Sequence, residues 1–145
     1  MLARRELCEA QVRTRLERRQ FDPDDIESAV ARLKRERALD DRRTALACAR
    51  TEALVKRRGR ARVLRQVEGL GIARATARAA VAEVFADVDE RAMITAALDR
   101  RLRAGMSLRD AAVARRVHRY LLAQGFDPSS VLDTLRKRGA VFYEP

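Results

Sequence analysis

His118 is the one histidine in this 145-residue chain. It is the side chain whose ordinary pKa lies nearest neutrality, so a serine or cysteine nucleophile would have to take it as base. It sits in a long arginine-rich helical pattern, Val113 to Gln124, with no nucleophile motif beside it. A solvated or half-buried surface histidine is the simpler reading. Zinc needs three or four ligands, and Cys8, Cys48 and His118 are scattered without ligand spacing. The cysteines read as reduced and structural. Asp40 and Asp41 could in principle hold a metal, but adjacent acids at a helix start are more often caps. No lysine-bearing phosphate loop and no dinucleotide glycine fingerprint occurs, and Gly69-Leu70-Gly71 has the length of a helix end. The sequence therefore points away from catalysis, cofactors and metals.

The remaining chemistry is charge. There are 32 Lys plus Arg against 21 Asp plus Glu, a formal net charge of +11. Residues 1–39 are net +2, residues 40–88 net +5 and residues 89–145 net +4. The densest run is Lys56, Arg57, Arg58, Arg60, Arg62 and Arg65, with no acid between Glu52 and Glu68. It spans a helix end, a glycine turn and the next helix start. Cations suit the first helix's dipole and oppose the second's, so local stability does not account for all of them. These six residues are the candidate partner- or DNA-binding site. Arginine forks onto phosphate or carboxylate equally well, so either polyanion suits. A solvated face in an arginine-rich chain is the competing explanation. Aromatics make up only 4% of the chain, which argues against a base-stacking platform. Charge reversal at Arg58, Arg60 and Arg62 is expected to weaken binding and to move the melting temperature only a little.

The elements that must position this patch are helices. Arg, Ala, Leu and Glu dominate, and apolar residues recur at three- and four-residue steps. The pattern predicts helices over 2–19, 23–37, 40–57, 60–69, 73–87, 89–104, 108–124 and 128–138. Asp22-Pro23 and Asp127-Pro128 supply an N-cap oxygen and a proline at the first helical position. Ser107 and Asp110 resemble a capping box. Gly71, Gly105, Gly125 and Gly139 fall where a left-handed C-cap is wanted. No apolar run exceeds the five residues Ala45 to Ala49, so no membrane span is expected. The start of the chain lacks an apolar signal region, and a cytoplasmic location is expected.

A repeat runs through these helices. Val12, Leu16, Phe21, Ile26 and Val30 shift by 51 onto Val63, Val67, Ile72, Ala77 and Val81. They shift by 105 onto Val117, Leu121, Phe126, Val131 and Leu135. Each set places one i, i+4 face on a helix, a bulky residue in the turn, and a second i, i+4 face on the next helix. The turn residue is expected to plug the angle between the helices, so truncating Phe21 or Phe126 should cost about 3 kcal/mol or more. Such a pair needs a third helix, which 40–57 and 89–104 supply. The expected fold is all-α, an elongated tandem array of three-helix repeats. Its divisions are 1–38, lacking its leading helix, then 39–88, 89–139 and a tail over 140–145.

The motifs resemble the RecX regulatory family. They are Leu2-Ala3-Arg4-Arg5 opening a helix, Val12, Leu16 and Phe21 before an acidic helix start, and the junction Leu39-Asp40-Asp41-Arg42. Arg58 to Val63 and Arg119 to Asp127 are similar to the corresponding stretches of the later repeats. The family usually has an aromatic where Thr44 stands and a glycine where Gln20 stands, and Gly69 replaces a polar residue, so the chain reads as a divergent member. The resemblance implies a protein that is not an enzyme. It implies binding to the RecA recombinase filament, possible contact with DNA phosphates, and restraint of recombination and the SOS response. The missing motifs point to no cofactor, and a filament binder of this size is expected to be a monomer. The alternative from charge and short turns alone is a DNA-binding protein of helix-turn-helix type, with helix 60–69 offering Arg62, Arg65 and Gln66 to bases.

Overall fold

The computed structural model describes residues 6–142, and its regular elements are helical. They are α1 (Glu9–Arg18), α2 (Pro23–Arg35), α3 (Asp41–Arg50), a π-helical turn (Thr51–Val55), α4 (Arg60–Glu68), α5 (Arg74–Phe85), α6 (Glu90–Arg101), α7 (Ala111–Ala123) and α8 (Pro128–Lys137). Leu2 to Arg5, expected to open the first helix, lie outside the described residues, as do the last three residues of the tail.

The caps explain where the helices begin. Asp22 accepts from the Asp24 N–H, and Asp127 from the Ser130 N–H, each just before its proline. Asp40 caps α3 through the Arg43 N–H. Asp41 works across the chain: its Oδ1 accepts from the Glu9 N–H at 2.8 Å and so satisfies a free donor at the start of α1. Three expectations are corrected. The first helix starts at Glu9, because the Gln11 side chain accepts from the Cys8 N–H and holds Cys8 as an extended N-cap. The seventh starts at Ala111, because Asp110 is its cap while the Ser107 hydroxyl accepts from the Arg109 N–H in the preceding turn. The stretch 40–57 is not one α-helix. Past Arg50 it widens into the π-turn, where the Lys56 N–H donates to the Thr51 carbonyl.

Helix packing is local. α1 packs on α2, α3 with α4 and α5, and α6 with α7 and α8. Three apolar cores follow. The first holds Ile26, Val30 and Leu39 with half-buried Val12, Leu16 and Leu33. The second is built on Ala45, Ala49, Val63, Val67, Ile72, Val81 and Phe85. The third is built on Ile94, Leu98, Val117, Leu121, Phe126, Val131 and Leu135. Met93 borders both larger cores. Nearest-neighbour cores of this kind make an all-α array of helical repeats rather than one bundle. The ten repeat positions of the second and third sets are all buried.

The first set departs from them. Phe21 is 50% exposed, whereas Ile72 and Phe126 are 4% and 2% exposed. The plug expected at residue 21 is therefore not a core residue. In the other two repeats α3 or α6 lies over the helix pair, and among the described residues α1 and α2 have no such cover. Backbone at the turn nevertheless repeats. Gln20, Gly71 and Gly125 occupy the same place and all have positive φ, +61°, +92° and +93°.

The repeats join by one recurring contact. Cys8 and Gly59 hold the same place in the repeat and are both N-caps, of α1 and α4. Cys8 Sγ donates to the Leu70 carbonyl at 2.9 Å. The Gly59 N–H donates to the Gln124 carbonyl at 2.8 Å, and the Ala61 N–H to the Gly125 carbonyl at 3.1 Å. Each helix start thus rests on the turn of the following repeat. Gly71 meets Ala10 so closely that a Cβ there would lie 2.6 Å from the alanine methyl. A Cβ on Gly59 or Gly125 would run into the other side's backbone, so this junction requires glycine on both faces.

Candidate functional site

The six predicted site residues lie where the π-turn, α4 and the third repeat meet, but they do not form one free cationic face. The reason is Glu52, which sequence reading passed over. The π-turn rotates it inward, and it is only 3% exposed. Its Oε1 accepts from Lys56 Nζ at 2.7 Å and its Oε2 from the Arg58 guanidinium at 2.6 Å. The Arg58 N–H also donates to the Glu52 carbonyl at 3.0 Å. Burial pushes the Glu52 carboxyl up. The Lys56 hydrogen bond and the charge and hydrogen bond of Arg58 outweigh it, and the group titrates below its ordinary value.

The remaining four residues have different tasks. Arg60 lies with its guanidinium 5.4 Å from the Phe85 ring centre and 4.0 Å from Glu90. Arg62 reaches the Ala123 carbonyl at 3.4 Å and so ties α4 to the end of α7. Arg65 and Arg57 are exposed. Arg57 follows the C-cap of the π-turn with φ +55°, a conformation that favours glycine. The expectation that reversing Arg58, Arg60 and Arg62 moves the melting temperature only a little is revised. Arg58 is the counter-ion of a buried carboxylate, and Arg62 holds two repeats together. A signal for Glu52 was present in the sequence: it lies i, i+4 from Lys56 and just before a run without acids.

Beside the patch lies a cleft of about 450 Å³ lined by Val55, Lys56, Arg57, Ala97, Arg100, Tyr120 and Gln124. Arg101 stacks over Tyr120 with its guanidinium 4.7 Å from the ring centre. Val55 on its lining is 74% exposed, and Leu54, which precedes it in the chain, is 57% exposed. A second cleft, also about 450 Å³, lies between the start of α1 and the α3–α4 region and includes Thr44, Cys48, Glu52 and Gln66. Thr44 is buried there, and its hydroxyl finds no hydrogen-bond partner among the described residues. His118 packs edge-on to Phe142, ring centres 5.6 Å apart. Among the described residues there is no group of three His, Cys, Asp or Glu side chains placed to hold a metal ion. No described helix is long and apolar enough to cross a membrane.

Comparison with known proteins places one part of the chain. Residues 1–33 match the family model described as RecX, first three-helix domain. No curated protein and no solved structure matches. The matched segment contains α1 and most of α2, including the Gln20–Phe21 turn whose left-handed backbone recurs at Gly71 and Gly125. Over these residues the chain is similar to the first three-helix domain of RecX proteins, and the chain as a whole folds as an array of helical repeats.

Proposed function

We propose that the protein binds the RecA recombinase on its DNA filament and restrains it, without chemistry of its own. The observation that carries this reading is the match of residues 1–33 to the first RecX domain. The recurring turn and junction add support, since they extend the same repeat through the rest of the chain. In this reading the repeats run over 1–38, 39–88 and 89–139. The protein acts in the cytoplasm as a monomer whose basic middle meets either acidic recombinase surface or DNA phosphate.

Direct reading of DNA by α4 is the second possibility, and local packing disfavours it. A recognition helix presents its N-terminal residues to base edges. Here the start of α4 is occupied: Gly59 is buried against Gln124 and Phe126, and Arg62 is engaged with Ala123. Co-sedimentation with assembled recombinase filaments tests the main reading. The expected outcome is pelleting with the filament and inhibition of its single-strand-dependent ATPase at substoichiometric protein. No pelleting and no inhibition at several-fold excess would reject it. Nanomolar, sequence-selective binding to duplex DNA without recombinase would favour the alternative.

A further inference from the structure

We infer that the cleft between the π-turn and helices α6 and α7 is a docking site for an acidic protein segment that carries a bulky aliphatic side chain. The inference rests on the protein-binding reading above and names the surface that would serve it. It begins with the π-turn. Closing one turn with an i to i−5 hydrogen bond shifts the phase of the side chains that follow. Glu52 and Ala53 go inward, and Leu54 and Val55 are left outside. Two consecutive aliphatics so exposed are a local apolar patch, not scattered surface residues.

Charge surrounds this patch on the cleft side. Lys56 and Arg57 stand on one wall and Arg100 on the other, and among the described residues no carboxylate lines the cleft. Lys56 is held by Glu52. Among the described residues that line the cleft, Arg57 and Arg100 are therefore the cations open to an incoming anion. Arg57 holds its place at a cost. Its φ of +55° is disfavoured for an arginine relative to glycine. Sparsely populated backbone held by a charged surface residue is a pointer to function.

The two anionic occupants differ in what they leave uncovered. A nucleic-acid strand would use arginine and an open aromatic face. The Tyr120 ring is already stacked by Arg101, and phosphate has no use for Leu54 and Val55. An acidic segment bearing leucine would pair its carboxylates with the two guanidinium forks and cover the aliphatic lip with its side chain. The mixed apolar and cationic character favours the second occupant.

The test uses the full chain and fluorescence anisotropy with three probes: a short labelled peptide alternating glutamate and leucine, the same peptide with serine for leucine, and an oligothymidylate. Variants are Val55→Ser, Arg57→Gly and, as a distant control, Arg109→Ala. The leucine peptide should bind, and V55S and R57G should each weaken it by about tenfold or more. R109A should leave it unchanged. R57G should hold or raise the melting temperature, so its loss of binding is not loss of fold. The inference is overturned if the leucine peptide fails to bind, if the serine peptide binds as well, or if the oligothymidylate is the probe that R57G weakens while V55S does not. Filament co-sedimentation separates the two readings. Equal pelleting of the wild type, V55S and R57G rejects the cleft and keeps the recombinase reading. No pelleting by the wild type, with peptide binding intact, does the reverse.

Discussion

The buried Glu52 decides how the basic run can be used. A carboxylate out of water is tolerable only while its counter-ions stay. Arg58→Glu is expected to cost about 2 kcal/mol in denaturant unfolding, because it removes one partner and adds a like charge. Arg65→Glu, on an exposed side chain, should stay within about 0.5 kcal/mol. The same group sets an acid limit. Its folded-state pKa lies below its unfolded value, so the unfolded chain takes the proton more readily. The stabilisation is complete above about pH 4.5 and is lost as pH falls through the depressed value. Melting temperature should therefore fall on acidification below that point, and Glu52→Gln should flatten that part of the curve. The two turn phenylalanines separate in the same way. Phe126→Ala should cost about 3 kcal/mol or more, and Phe21→Ala less than about 1 kcal/mol, because only the first leaves a cavity.

At the level of elements, the turn and the helix start are the working parts. Gly59 and Gly125 lie back to back, and alanine at residue 59 would push the α4 start off the α7–α8 turn. Overpacking of this kind costs about 1–3 kcal/mol. Hydrogen exchange should show faster opening of the Ala61 N–H, which donates across this junction. Gln20 offers the opposite change. It occupies the left-handed position that glycine fills in the other two repeats, so Gln20→Gly should stabilise the chain by up to about 1 kcal/mol in thermal unfolding. The π-turn is the element that sequence periodicity could not reveal. Its residues continue a good helical pattern, and its one-residue excess is seen only in the fold, where Glu52 bonds both Lys56 and Arg58.

For the whole molecule, the contact pattern matters more than any single core. Each larger core is built mainly within one repeat, and neighbours meet through a few shared apolar residues, Cys8 and Met93 among them, and a small set of hydrogen bonds. Stability is then a sum of repeat and junction contributions, and a junction variant should broaden the unfolding transition more than a surface variant does. Net charge acts at this scale too. If filament binding neutralised about six phosphates, affinity would fall by about 10³ between 50 and 200 mM salt. A much shallower dependence is expected if the acidic segment proposed for the Arg57–Arg100 cleft is the main contact, because Leu54 and Val55 then carry part of the binding.

Sequence alone determined the helices, the proline-linked caps at Asp22 and Asp127, and the places of Gln20, Gly71 and Gly125 in a repeat. These are local matters: period, capping oxygen and backbone sign are written within a few residues of one another. Tertiary structure decided the rest. Whether a turn phenylalanine is core or surface depends on a third helix far along the chain, so Phe126 is buried and Phe21 is not. Whether an arginine is free depends on which carboxylate the fold brings to it, so Arg57 is open while Arg58 is committed to Glu52. Burial and charge pairing are properties of neighbours in space, and a linear pattern lists candidates for them without choosing among them.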